Sequence, residues 1–209
     1  IGLTATPERM DGVSLLPDFD NTISAEIRLT AALNAGLLTP FQYLCISDDT
    51  DLRDDDLMQG NKYIAAKLTE RLCNRQRVAL IVDRLKYYLP DETACKALGF
   101  CSTMEHAKYM AEQFCAYGYK ADYLTSERSE ERDVLNKKLS RGDINYLFVV
   151  DIFNEGVDIP EVDTVLFLRP TESLTIFLQQ LGRGLRLSPG KQLLTVFDFV
   201  AQLNKKYDF

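Results

Sequence analysis

The sequence has no run of the roughly 20 apolar residues that a helix needs to cross a bilayer, so no membrane span is expected. It also has no Cys-x-x-Cys pair. Its five cysteines are Cys45, Cys73, Cys95, Cys101 and Cys115, and His106 is its only histidine. Zinc sites need clustered Cys and His ligands, and a disulfide framework needs closely repeated cysteines. No structural metal is therefore expected, and the thiols read as reduced residues of a cytoplasmic protein. No Gly-x-x-x-x-Gly-Lys-Ser/Thr loop occurs either, so the chain lacks the backbone cradle that such a loop offers to a nucleotide. Basic charge is scarce: 24 Lys and Arg stand against 31 Asp and Glu, a net charge of -7. Broad nucleic-acid-binding faces usually carry the opposite balance. Part of this deficit is local, because six aspartates crowd into Asp48 to Asp56. That stretch reads as a solvated loop. It lacks the glycine and closing glutamate of an EF-hand, so no metal is expected there. The remainder is close to neutral. Its basic groups Arg128, Arg132, Lys137, Lys138 and Arg141 lie on or beside one helix and read as a solvated face.

What is present is an alternation of short apolar runs with amphipathic segments, in a chain that is 46% hydrophobic. That is enough apolar material for a sizeable core. The pattern predicts strands over 40–46, 95–101, 120–124, 145–150, 163–168 and 193–198. It predicts helices over 26–37, 61–73, 76–88, 104–117, 129–140 and 174–181. The helix over 76–88 stops before Pro90 because the residue preceding proline disfavours helix. Gly118 is placed to cap the helix over 104–117. Strands alternating with helices imply a mostly parallel sheet covered on both faces.

Four motifs carry the chemistry. Gln179-Gln180-Leu181-Gly182-Arg183-Gly184-Leu185-Arg186 places two arginines three residues apart around a glycine. Arginine stays charged, and its planar fork matches phosphate oxygens. Glycines on both sides of Arg183 would allow a tight turn and close approach to a ligand. Two such forks suit the charge that builds on a transferring phosphoryl group. The plainer alternative is a glycine-capped helix end with solvated arginines. Upstream, the apolar run 146–150 leads into Asp151-Ile152-Phe153-Asn154-Glu155-Gly156-Val157-Asp158-Ile159-Pro160. A polar loop after a strand of an open α/β sheet is a site candidate. Asp158 is placed to accept hydrogen bonds from a ribose hydroxyl, and a strand-ending turn closed by Pro160 is the alternative. Ala97-Leu98-Gly99-Phe100-Cys101-Ser102-Thr103 is a strand ending in small hydroxyl residues, and Ser102 and Thr103 are candidates for backbone phosphate contacts. Ile1-Gly2-Leu3-Thr4-Ala5-Thr6-Pro7 is a short apolar strand running into Thr-Ala-Thr.

In this order the Thr-Ala-Thr, strand-end, Asn-Glu-Gly-Val-Asp-Ile-Pro and Gln-Gln-Leu-Gly-Arg-Gly-Leu-Arg segments resemble motifs III, IV, V and VI of superfamily 2 helicases. Val165-Leu166-Phe167-Leu168-Arg169-Pro170-Thr171-Glu172-Ser173 is similar to the helicase part of the type III restriction subunit group. The resemblance implies an α/β fold, a RecA-like three-layer domain of the P-loop NTPase type with a mostly parallel sheet, in the position of the second helicase domain. It makes Arg183 and Arg186 arginine fingers. Gln179, Gly182, Gly156 and Asp158 become ATP-binding residues, and Thr4 and Thr6 couple hydrolysis to domain movement. Glu155 stands where many members carry a basic residue. Val150 stands where many carry a threonine that touches nucleic acid.

Residues 1–23 are then expected to be the end of a first RecA-like domain and a connector, with 24–209 as the second domain. The missing phosphate loop and the missing Asp-Glu-x-x box belong to that first domain in the family. The chain is accordingly expected to be a fragment, inactive alone. The cofactor implied is ATP with Mg2+, whose ligands would lie on the other domain. The partners implied are the N-terminal RecA-like domain of the same parent chain and DNA, with RNA also open. The competing readings are a helicase-like scaffold or DNA clamp without turnover, and a flavodoxin-like binding domain. His106 reads as an ordinary surface or edge residue of a helix.

Overall fold

The computed structural model of the chain describes residues 14, 16–150, 159–171 and 174–207. Its main elements, in chain order, begin with α1 (Leu29–Asn34), β1 (Phe41–Leu52), β2 (Met58–Gln59), β3 (Lys62–Tyr63), α2 (Ala65–Leu72) and α3 (Arg75–Tyr88). They continue with β4 (Ala97–Cys101), α4 (Met104–Ala116), β5 (Ala121–Leu124), α5 (Arg132–Arg141), β6 (Tyr146–Val150), β7 (Thr164–Phe167), α6 (Leu174–Gly184) and β8 (Leu194–Leu203). Six strands form one sheet in the order β1-β8-β7-β4-β6-β5, and each neighbouring pair is parallel. Strands β2 and β3 form a separate small antiparallel ribbon.

The central strands explain why the sheet is covered twice. Every residue of β4, β6 and β7 is buried. Successive side chains point to opposite faces, so such strands need cover on both. On one face Val78, Ile81 and Leu85 of α3 and Met110 and Phe114 of α4 pack with Tyr146 and Phe148 of β6. On the other, Leu135 and Leu139 of α5 and Leu181 of α6 pack with Leu98 and Phe100 of β4 and Leu147 and Val149 of β6. The result is the expected three-layer α/β domain. Among the described residues, no helix is long and apolar enough to cross a membrane.

Several boundaries differ from the sequence reading for identifiable reasons. The helix expected over 26–37 is reduced to α1, and Gly36, at a φ of 68°, follows its end. Residues 126–131 form a 3-10 turn, so α5 starts at Arg132 rather than Ser129. Arg128, read as part of a solvated face, is engaged there. It pairs with Asp122 and Glu131, each at 2.7 Å, and its guanidinium lies 4.5 Å from the Tyr123 ring centroid. Strand β8 runs to Leu203, well past the expected end at 198, because β1 pairs with it along its length.

The largest correction concerns the aspartate cluster. Asp48, Asp49 and Asp51 lie in strand β1, not in a loop. Asp48 is 1% exposed and its Oδ2 accepts from Arg77 Nε at 2.9 Å. Arg77, on the first turn of α3, also donates through Nη1 to Leu168 O at 3.0 Å. A buried carboxylate needs a partner, and this partner lies 29 residues away, where local composition carries no sign of it. Removing one member of a buried pair strands the other charge. Asp48→Ala is therefore expected to lower stability by about 3–5 kcal/mol. Urea denaturation checks this, and a loss within 1 kcal/mol would contradict the pair's role.

Candidate functional site

All strands of a parallel sheet end at the same edge, and the loops leaving that edge are the usual place for a site. Ser102 and Thr103 leave β4 there. Both hydroxyls are engaged with α4. Thr103 is its N-cap, and its Oγ1 accepts from the His106 N–H at 3.2 Å while lying 2.8 Å from Thr69 Oγ1. Ser102 donates its backbone N–H to His106 Nδ1 at 3.3 Å, and its Oγ lies 3.1 Å from the same atom.

His106 is the residue the sequence misjudged. It is fully buried rather than on the surface. Its pKa lies well below the ordinary histidine value, first because burial penalises the charged ring and then because Arg77 and Arg169 repel it. The ring is thus neutral. The Ser102 N–H can only donate, so Nδ1 accepts and the ring proton sits on Nε2. That Nε2 and Arg77 Nη2 are buried without a hydrogen-bond partner among the described residues. An alternation of apolar residues along α4 was the available signal, since His106, Met110 and Phe114 share one buried stripe.

The arginine octet lies elsewhere. Helix α6 follows β7 and precedes the parallel strand β8, so it runs back from the carboxyl edge of the sheet towards the amino edge. It continues through Gly182-Arg183-Gly184, which are helical, not the tight turn expected from two glycines. Gly184 is needed for packing: a Cβ there would lie 2.7 Å from Leu194 Cδ1 and 3.1 Å from Val165 Cγ2. Gly182 is the opposite case, since a Cβ would meet nothing within 4 Å among the described residues. Gln179 and Arg186 are exposed and Arg183 is partly exposed.

The exit of α6 is held tightly. Leu185 O accepts from the Thr39 N–H at 2.8 Å. Arg186 O accepts from Thr39 Oγ1 at 2.9 Å and from Lys191 Nζ at 3.0 Å. Lys191 Nζ also donates to Gly184 O and, at 3.0 Å, to Pro160 O. Carbonyls at a helix end lack intrahelical partners, and these two residues supply them. Sequence reasoning named neither Thr39 nor Lys191, because both act on main-chain atoms and belong to no motif.

The structure therefore separates the candidates into two groups. Ser102 and Thr103 stand at the carboxyl edge. Gly182, Arg183 and Arg186 stand near the starts of β1 and β8, and Pro160, the described end of the crossover after β6, reaches them through Lys191. Thr4, Thr6, Gly156 and Asp158 lie outside the described residues. Among the described residues no cluster of His, Cys, Asp and Glu is suited to a metal ion.

The layered parallel sheet and its helix order define a RecA-like α/β domain of the helicase type. The model of the helicase conserved C-terminal domain matches residues 55–188, which include both the β4 exit and the arginine octet. The chain belongs to that family. It is 27% identical over 202 residues to IRC3 of Saccharomyces cerevisiae, described as an ATP-dependent helicase, covering 96% of this chain and 29% of that protein. The fold is shared with a fragment assigned to the HsdR subunit of a type I restriction enzyme from Vibrio vulnificus YJ016. There the TM-score is 0.70 at 21% identity, over 94% of this chain and 38% of that one. It is shared too with the ATP-dependent type ISP restriction-modification enzyme LlaBIII bound to DNA. In that case the TM-score is 0.63 at 18% identity, over 96% of this chain and 15% of that one. The chain spans between 29% and 42% of the length of the first curated relatives it matches.

Two outcomes follow from this geometry. Gly184→Ala is expected to destabilise the domain by about 1–3 kcal/mol through overpacking against Leu194, whereas Gly182→Ala should leave stability equal or raise it by up to about 1 kcal/mol. Thermal unfolding of the two variants side by side checks the contrast. The second outcome concerns pH. Unfolded His106 takes a proton below about pH 6.5, whereas folded His106 stays neutral. The unfolded state then binds more protons, so stability falls as pH drops below that value. His106→Asn, which keeps an acceptor for the Ser102 N–H, should flatten this slope between pH 5 and 7; an unchanged slope would refute it.

Proposed function

We propose that this domain is the C-terminal half of an ATP-dependent DNA translocase or helicase motor. Residues 1–23 would be the end of a first RecA-like domain and its connector, and residues 24–209 the second RecA-like domain. ATP with Mg2+ would bind between the two, with the metal ligands on the first. The observation that carries this reading is the anchored end of α6. Thr39 and Lys191 fix the main chain around Gly184 to Arg186, so Arg183 and Arg186 are presented from a rigid base. Stabilising charge on a transferring phosphoryl group requires donors that are already in place. Among the described residues nothing crowds Gly182, which suits the approach of phosphates or a second domain.

In this mechanism, closing the cleft brings the two guanidinium groups onto the γ-phosphate. They stabilise the charge on its oxygens while water attacks in line and ADP leaves. Hydrolysis releases the contact and the cleft reopens. Ser102 and Thr103, at the other edge, would meet the nucleic-acid backbone, so cleft movement shifts the strand contact.

Arg183→Ala and Arg186→Ala in the full parent protein are each expected to lower nucleic-acid-stimulated ATP turnover by about 10³-fold or more, as arginine fingers do. ATP affinity should change by only a few fold. Steady-state turnover with single-stranded DNA, duplex DNA and RNA, together with nucleotide binding, checks both. Weak binding with normal turnover at saturating ATP would overturn the finger role. Absence of turnover in the unmodified protein would point to a scaffold.

A further inference from the structure

Lys191 belongs to none of the motifs, yet its ammonium sits at their junction. It leaves the turn before β8, half-buried, and reaches three main-chain oxygens: Pro160 O, Gly184 O and Arg186 O. An ammonium has three donors, and this arrangement uses all of them. Two of the acceptors are carbonyls at the exit of α6, flanking the arginines. The third lies at the end of the crossover that follows β6.

We propose that Lys191 is a positioning residue that locks the Pro160 loop to the arginine-bearing end of α6, so that the two move as one unit when the nucleotide cleft closes. This inference rests on the motor reading above. It assigns Lys191 no contact with ATP. Its work is done through the main chain, by holding the base of Arg183 and Arg186 at a fixed distance from Pro160. A carbonyl cage of this kind needs the protonated amine, since a neutral amine has only two donors and would leave one carbonyl without its partner.

Charge state gives the lock a second signature. Burial pulls the Lys191 pKa down to about 8, with Asp163 and Glu161 acting in the opposite direction. The amine is therefore mostly protonated at pH 7 and below, and the cage opens as pH rises through about 8.

The test uses the full parent protein with Lys191→Met and Lys191→Arg. Lys191→Met is expected to lower DNA-stimulated kcat about tenfold with KM for ATP within about twofold. Amide exchange over 182–187 should become faster. In the unmodified protein kcat should fall between pH 8 and 9.5. Lys191→Arg, which keeps its charge throughout, should not show that fall. Should Lys191→Met fail to fold, the pH profiles of the unmodified protein and of Lys191→Arg decide instead. Unaltered kcat and unaltered exchange in Lys191→Met, or identical pH profiles for unmodified protein and Lys191→Arg, would overturn the proposal. The exchange arm needs no turnover. Faster exchange in Lys191→Met alongside full activity of Arg183→Ala would keep the lock and reject the finger reading.

Discussion

Parallel pairing of β4 between β6 and β7 is the constraint from which the rest of the architecture follows. Each parallel neighbour requires the chain to return from one edge of the sheet to the other, so every crossover visits both edges. The crossover after β6 and helix α6 after β7 both travel towards the amino edge, where Pro160 and the arginine end of α6 meet. The exit from β4 stays at the carboxyl edge with Ser102 and Thr103. A single topological rule thus places the two groups of candidate residues at two ends of one rigid slab. The fully buried strands between them make the slab hard to deform, since interiors packed at native density do not absorb small shifts.

Each end is stiffened in its own way. At the carboxyl edge the stiffness comes from side chains: Arg77 joins α3 to β1 through Asp48 and to the β7 exit through Leu168 O. Beside it a neutral His106 holds the Ser102 backbone. At the amino edge it comes from capping: Thr39 and Lys191 take up the carbonyls that α6 would otherwise leave open. The first device places charge in a low-dielectric interior and depends on its pairing. The second places a cation against main-chain dipoles and depends on its proton.

The succession of strands and helices along the chain was legible because period-2 and period-3.6 patterns are local properties of the chain, whereas the strand order was not, since it depends on contacts between distant segments. The apolar run 146–150 could hardly be other than a strand buried on both sides. The arginine octet was legible as a motif, but its local shape was not. Gly182 and Gly184 suggested a turn, and the helix passes through both because Gly184 is there to let α6 sit against Leu194. Asp48 and His106 were misplaced for a shared reason. A polar residue can be buried only when distant groups satisfy it, and the partners of Asp48 and the neighbours that keep His106 neutral come from other elements. Lys191 and Thr39 escaped because main-chain acceptors leave no trace in sequence.

The exposed acidic positions of β1 have a consequence for how this domain behaves in a crowded solution. Strand β1 is twelve residues long and forms one border of the sheet. A border of that length exposes unpaired amide and carbonyl groups that could recruit a strand from another molecule. Asp49 and Asp51 project from it into solvent. Asp51 is paired with Arg53 at 2.7 Å, so it is Asp49 that places negative charge on that border, and a charge on an edge strand disfavours pairing with a second edge. An aspartate that reads as part of an acidic excess thereby also helps guard the sheet border against self-association.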